Sequence, residues 1–376
     1  MSGALWISAA ELSGDMHGAL LAQALTALDP SLTLLGTGGP HLRAAGLRCL
    51  FAAEDLSVMG IVEVVNRLPR ILRMLSAMKV ALAQHRPRAL IVIDAPDFHF
   101  RLIKAARALN IPVYYYISPK VWAWRPGRVL FLRRHVRRLI SILPFEQEFY
   151  RNFGLEIDYV GNPVVDLVRY PSLAHLLPEP NLIGLFPGSR RREITSLLPV
   201  FGRTARLLLR RLPDLVFACV RAPGLDDALL RANWPDDVPV RWENPENRWR
   251  FMRRCRLLIA ASGTVTLESA VAGVPTLVAY KVSPLSFRIG KAMIRIPYVS
   301  LPNLILGREV FPELLQDACN EESLAGAALP WLAPQEDSSF SDGVRRDLDE
   351  IRRRLGEPGS PGRAAALILE DLAQPG

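Results

Sequence analysis

Ile91-Val92-Ile93-Asp94-Ala95-Pro96-Asp97-Phe98 decides how the rest of the chain is read: an apolar run ends abruptly in two carboxylates placed around a proline. An unbroken run of Val and Ile suits a strand covered on both faces, and such strands belong to parallel sheets flanked by helices. Pro96 disfavours the helical conformation at Ala95, so the strand tip must turn before a helix begins. A carboxylate mounted there has little freedom to lose on meeting a substrate hydroxyl, which makes Asp94 the candidate general base. The competing reading is that Asp94 and Asp97 cap the following helix.

Outward from this stretch, short apolar runs alternate with longer helical patterns, the signature of α/β architecture. Strands are expected at Leu5–Ser8, Leu32–Gly36, Ala89–Ile93, Val113–Ile117, Leu139–Ile142 and Ile157–Tyr159. A second series runs through Leu182–Phe186, Leu215–Val220, Val238–Trp242, Leu257–Ala261 and Thr276–Tyr280. Between the two series, Pro163, Pro171, Pro178 and Pro180 break the chain and indicate a linker. The expected organisation is a first α/β domain over residues 1–165, a linker over 166–181, a second α/β domain over 182–345 and a helical tail over 346–376. The last segment, Gly362–Leu372, is expected to pack back on a domain. Ligands in such sheets bind beyond the carboxyl ends of the strands, so a cleft between the halves is the expected site.

At 376 residues the chain is too long for one small core, and half of it is hydrophobic. Lys and Arg outnumber Asp and Glu by 46 to 37, which favours an anionic partner: nucleic acid, a phosphate-bearing substrate or an acidic membrane. The arginines are scattered over predicted helices without a recognition motif or stacking platform, which speaks against nucleic acid. Cys49, Cys219, Cys255 and Cys319 lie far apart, with no CxxC and no His at zinc spacing. Reduced thiols in a cytoplasmic protein are the expectation. Met1-Ser2-Gly3-Ala4 lacks the basic region of a signal peptide, and no uncharged run reaches bilayer length.

Three further turns suit anions. Glu11-Leu12-Ser13-Gly14-Asp15 follows a strand and opens a helix, where free amides and the helix dipole attract negative charge. Its glycines lack dinucleotide spacing, and Gly36-Thr37-Gly38-Gly39-Pro40 fits no better, so a nicotinamide enzyme is disfavoured. Nearby His17 reads as structural. Pro187-Gly188-Ser189-Arg190 puts a turn and a cation after a strand, with Arg190 the candidate diphosphate partner and Arg191 and Arg192 a solvated helix start. Ala261-Ser262-Gly263-Thr264 enters the helix carrying Glu268, so amides at Ser262, Gly263 and Thr264 would meet phosphate while Glu268 accepts from ribose hydroxyls. Each turn is also a common strand-to-helix connection. No Asp-x-Asp triplet stands in a phosphate context, so neither a metal nor another cofactor is expected.

Taken together with Ser57–Val64, Tyr116–Arg125, Leu143–Glu146 and Tyr298–Leu304, these segments resemble the lipid-A-disaccharide synthases over nearly the whole chain. That bacterial family is of the GT-B type. The resemblance implies two Rossmann-like domains with parallel sheets facing across a cleft, the first for the acceptor and the second for the UDP-sugar. It implies an inverting transfer from UDP-2,3-diacylglucosamine to 2,3-diacylglucosamine 1-phosphate, giving a β-1,6-linked lipid A disaccharide 1-phosphate and UDP. On this sequence Asp94 would take the acceptor proton, Arg190 and the amides after Ser262 would neutralise the leaving diphosphate, and Glu268 would hold the ribose. Asn303 and Gln316 fall in segments similar to the family's nucleotide-side loops, where each would hydrogen-bond the donor or, equally, satisfy loop backbone. Two departures are Ala10 where a Gly usually stands and Asn162 where a His is often found.

Acyl chains require access to a membrane, and residues 59–75 are apolar with interspersed Arg67, Arg70 and Arg73. Val64, Val65, Leu68, Ile71 and Leu72 are the expected contacts with the cytoplasmic face of the inner membrane, the competing reading being an ordinary core helix. Arg133, Arg134, Arg137 and Arg138 would support membrane contact or orient the acceptor phosphate. The alternative function is another GT-B enzyme of UDP-sugars, such as a UDP-N-acetylglucosamine 2-epimerase or a peptidoglycan glycosyltransferase. A noncatalytic lipid-binding protein is the third reading.

Overall fold

The computed structural model describes residues 3–56, 61–222, 226–283, 287, 296–332 and 339–374, with the main chain alone at Leu12, 61–68 and 339–341. The chain divides into two compact units, Met1–Pro163 with Glu357–Gly376, and Val164–Gly356.

The first unit is built on a seven-stranded sheet, all of its pairings parallel, in the order β3-β2-β1-β4-β5-β6-β7. The strands are β1 (Ala4–Ala9), β2 (Thr33–Gly38), β3 (Arg48–Ala52), β4 (Ala89–Ile93), β5 (Val113–Tyr116), β6 (Arg138–Ser141) and β7 (Asp158–Tyr159). Every residue of β1, β4 and β5 is buried, because helices cover both faces and no strand position is left for water. Alternate residues serve opposite cores. Trp6, Leu90, Val92 and Tyr115 pack on one side with Leu75, Met78 and Leu102 from α3 (Ile61–His85) and α4 (Pro96–Ala108). Leu5, Ile91, Ile93 and Tyr114 pack on the other with Leu21 and Leu25 of α1 (Leu12–Leu28), Leu42 of α2 (Pro40–Ala44), and Ala364 and Ile368 of the last helix, Ser360–Ala373. Each such Leu or Ile contributes roughly 1.5–3 kcal/mol relative to exposure.

The second unit carries a six-stranded parallel sheet, β10-β9-β8-β11-β12-β13. Its strands are β8 (Glu179–Phe186), β9 (Val216–Val220), β10 (Arg241–Glu243), β11 (Cys255–Ala261), β12 (Thr276–Tyr280) and β13 (Glu313–Leu315). The proline-broken stretch is not a bare linker: the helices Pro163–Val168 and Tyr170–Leu173 and the start of β8 lie in it.

In each sheet the strand order reverses at one point, between β1 and β4 in the first and between β8 and β11 in the second. Loops leaving the two central strands diverge there and open a crevice at the carboxyl edge. The loops beginning at Ala10, Asp94, Pro187 and Ser262 all leave these four strands.

Candidate active site

Asp94 follows the last residue of β4, and both it and Ala95 adopt left-handed backbone, with φ of 52° and 45°. For residues with a Cβ this costs on the order of 1 kcal/mol or more each, so the turn persists only where its surroundings hold it. Two buried side chains do so. His99 places Nδ1 at 2.7 Å from the Asp94 carbonyl oxygen, and the Tyr115 hydroxyl donates to the same oxygen at 2.7 Å. A carbonyl only accepts, so Nδ1 carries the proton and Nε2 accepts from the Ser8 hydroxyl at 3.0 Å. Burial lowers the His99 pKa to about 4, which keeps the ring neutral. The Asp94 carboxylate is half-buried, and no hydrogen bond from a described residue reaches it. Helix α4 has no side-chain cap, so the capping reading of the two aspartates does not apply. Asp97 instead pairs with Arg125, at 3.3 Å, and with Arg128. Sequence reasoning missed His99 and Tyr115, which lie five and 21 residues beyond Asp94 and meet its carbonyl only in the fold.

Ala9 pairs in register with Ile93, so the first loop leaves the sheet beside Asp94. Gly14 lies so close to the tip of β4 that a Cβ there would stand 3.6 Å from the Ile93 carbonyl. Glu11 is exposed at the helix start and Ser13 is half-buried. Asp15 differs from expectation. Its carboxylate is buried and accepts from the amides of Gly39, His41 and Leu42 at 2.6, 2.9 and 3.2 Å, so it ties the loop after β2 to α1 and is not free to meet a ligand. His17 is kept neutral by burial, its pKa lowered to about 4.

In the second unit, Gly188 has φ of 104°, and a Cβ there would fall 2.2 Å from Glu193 Oε2. That same oxygen accepts from the Ser189 and Arg190 amides at 2.9 and 3.1 Å. The turn expected to cradle a diphosphate therefore already holds a carboxylate, and what it offers an anion is the Arg190 guanidinium, 61% exposed. Across the switch point, the Ser262 N–H and hydroxyl donate to the carbonyls of Ala279 and Val299. Gly263 and Thr264 are exposed, a Cβ at Gly263 would meet nothing within 4 Å, and no side chain caps the helix Thr264–Ala272. This helix start is open to an anion.

Glu268 lies one turn further in and is buried; its Oε2 accepts from Arg248 Nε at 2.9 Å and from the Trp249 indole N–H at 2.6 Å. Oε1 is outside both bonds. Neither Arg248 nor Trp249 stood out in the sequence. For Asn303 the bonds are those of the backbone-satisfying alternative: it is fully buried, its oxygen accepts from the amides of Val310 and Phe311, and its nitrogen donates to the Phe311 carbonyl and to Glu313. Gln316 likewise lies with its amide against the main chain of Val282.

The side chains of Val64, Val65 and Leu68 lie outside the described residues. Within the rest of α3, Ile71 is half-buried and Leu72 is 43% exposed, while Leu75 belongs to the core. Arg107, Arg133, Arg134 and Arg137 line a groove of about 410 Å³ at the far ends of α4 and α6 (Val129–His135). Arg107 lies 11 residues along α4 from Pro96, about 16 Å at 1.5 Å per residue, so this groove does not orient a phosphate at Asp94. Cys49, Cys219, Cys255 and Cys319 are free thiols. Among the described residues no three His, Cys, Asp or Glu gather to hold a metal ion, and no helix is long and apolar enough to cross a membrane.

Comparison with known proteins places these features in context. A family described as lipid-A-disaccharide synthetase matches residues 5–354. The lipid-A-disaccharide synthase of Geobacter sulfurreducens is 38% identical over 98% of this chain and 97% of its own, and that of Myxococcus xanthus is 40% identical with the same coverage. Among solved structures, a putative UDP-N-acetylglucosamine 2-epimerase from Listeria monocytogenes superposes with a TM-score of 0.65 at 13% identity, covering 100% of this chain and 98% of its own. The calicheamicin glycosyltransferase CalG4 superposes with a TM-score of 0.63 at 15% identity, covering 99% and 98%. These likenesses establish the GT-B fold.

Proposed function

We propose a reaction scheme for this chain, which belongs to the lipid-A-disaccharide synthase family and is a glycosyltransferase of lipid A biosynthesis. The donor is UDP-2,3-diacylglucosamine and the acceptor 2,3-diacylglucosamine 1-phosphate. Asp94 removes the proton from the acceptor 6-hydroxyl as that oxygen attacks the anomeric carbon, the bond to UDP breaks, and the configuration inverts. Arg190 and the open helix start at Gly263 and Thr264 offset the charge growing on the departing diphosphate. Glu268, with Oε1 outside its bonds to Arg248 and Trp249, accepts from the ribose hydroxyls. Glu11, Ser13 and Gly14 line the acceptor side of the same strand edge as Asp94.

The observation that carries this reading is the turn at Asp94: a carboxylate without a hydrogen-bond partner among the described residues, on backbone strained into place by two buried donors. A carboxylate serving stability alone would be paired, as Asp15 and Asp371 are. Mass spectrometry of the product made from both diacyl sugars tests donor, acceptor and chemistry together; the expected product is the disaccharide 1-phosphate, and unreacted 2,3-diacylglucosamine 1-phosphate beside hydrolysed donor would contradict the scheme.

Peripheral contact with the cytoplasmic face of the inner membrane is part of the proposal. Helix α3 packs on α4 and α4 on α6. From residue 64 to 145 the chain carries 16 Lys and Arg against only Asp94 and Asp97, whereas the remainder carries 30 against 35 Asp and Glu. Exposed Leu72, Val80 and Leu130 stand among these cations, a combination suited to an anionic bilayer surface.

A further inference from the structure

The loops after β4, β5 and β6 leave the same edge of the first sheet, and a buried carboxylate with no part in the scheme above ties them together. Glu146 opens α7 (Glu146–Arg151) and is 1% exposed. Its Oε1 accepts from the Trp122 indole N–H at 2.8 Å, and its Oε2 accepts from the Ser141 hydroxyl. Helix α7 also holds the start of the β5 loop, where the Tyr150 hydroxyl donates to the Pro119 carbonyl at 3.1 Å. Phe145 meets the Trp122 ring edge-on at 5.0 Å.

Trp122 lies in α5 (Val121–Trp124), and the chain leaving α5 supplies Arg125 and Arg128, the two cations on Asp97. Arg125 stacks on Trp124 at 3.9 Å, which fixes its direction. A carboxyl group is costly to bury, and an apolar side chain would fill the same space. What the carboxylate adds is two acceptor oxygens aimed at two different loops. With Asp94 taken as the base, we propose that Glu146 is a positioning residue for the transfer: by gripping Trp122 it sets α5 and, through Arg125 and Arg128, the Asp97 side of the turn that presents Asp94.

Burial pushes the Glu146 carboxyl up to about 7, against hydrogen bonds from Ser141 and Trp122 and the charge of Lys120; Tyr150 and Tyr159 also face it. The Trp122 indole only donates, so Oε1 must stay an acceptor; a proton on Glu146 goes to Oε2, where it reverses the bond to the Ser141 hydroxyl and removes the charge that strengthens the bond from Trp122.

The test uses the full chain with Glu146→Gln, Trp122→Phe and the double variant, reading UDP release against pH and acceptor concentration alongside thermal melting. Each single change is expected to lower kcat on the order of 10- to 100-fold with little effect on the donor KM. The double variant is expected to be no worse than the weaker single one, because both changes cut the same link. The wild-type acid limb near neutrality should be missing in Glu146→Gln. Trp122→Phe keeps a ring and loses one N–H, so it decides the matter if Glu146→Gln does not fold. Wild-type kcat and pH profile in the folded variants, with or without a lower melting temperature, would overturn the proposal alone. An active Asp94→Asn enzyme would overturn the base assignment and this proposal with it.

Discussion

At Asp94 the carboxylate is aimed by main-chain strain, and the strain is held by His99 and Tyr115. Tyr115→Phe removes one of two donors to a partly buried carbonyl, so about 0.5–1.5 kcal/mol of stability should be lost, with kcat falling more than KM rises; steady-state kinetics with a denaturant titration would show both. His99 and Glu146 act on stability with opposite signs. His99 takes up a proton near 6.5 when unfolded and near 4 when folded, so its contribution is complete above pH 6.5 and is lost as pH falls toward 4. Glu146 is raised from 4.5 to about 7, so its contribution is complete below 4.5 and lost as pH rises through 7. Buried His17 has the same shift and adds a slope of the same sign over the same window, so melting curves of His99→Asn should lose about half of that acid-side slope, and an unchanged slope would remove His99 as a source. The location of Asp94 was legible because strand, proline and carboxylate are adjacent in sequence. The fates of Asp15 and Asn303 were not, because their partners are amides on loops that only the fold brings to them.

Among the elements, the strands most legible in the sequence were central ones, whose runs are apolar throughout because both faces are covered. The two strands absent from the sequence reading, β3 and β13, are sheet edges: Arg48–Ala52 is only half-buried, and Glu313–Leu315 is three residues long. An edge strand buries too little to need an apolar run, so it leaves little pattern to read. The loop Tyr298–Leu304 is likewise decided by tertiary partners. Glu313 accepts from the Val299 and Ser300 amides and from Asn303, so Asn303→Ala should strand several buried groups and cost about 2–4 kcal/mol in global stability. Chemical denaturation would show that loss, and a variant of normal stability with weakened UDP binding would restore Asn303 as a ligand contact. The outer faces of α3, α4 and α6 make a separate prediction. Replacing Leu72, Val80 and Leu130 by Ser should reduce co-sedimentation with anionic vesicles, and raising salt from about 0.1 to 1 M should do the same by screening the arginines. Unchanged binding under both treatments would exclude this face.

For the whole molecule, the chain returns to its first unit at the end. Asp371 accepts from Tyr114 and pairs with Arg137 and Arg138, and Ala364, Ala365 and Ile368 complete the core over β1 and β4. Removing residues 357–376 should therefore destabilise the unit that carries Asp94 while the second unit still unfolds at its usual temperature, a separation visible by calorimetry. The charge is just as unevenly placed, with the basic excess confined to residues 64–145 and the balance of the chain acidic. The central claim is that Asp94 is the base of the proposed sugar transfer. The most direct measurement is the initial rate of disaccharide 1-phosphate formation by Asp94→Asn at saturating donor and acceptor, beside its UDP affinity. The account predicts turnover reduced by on the order of 100-fold or more with UDP affinity unchanged; turnover close to wild type would contradict it.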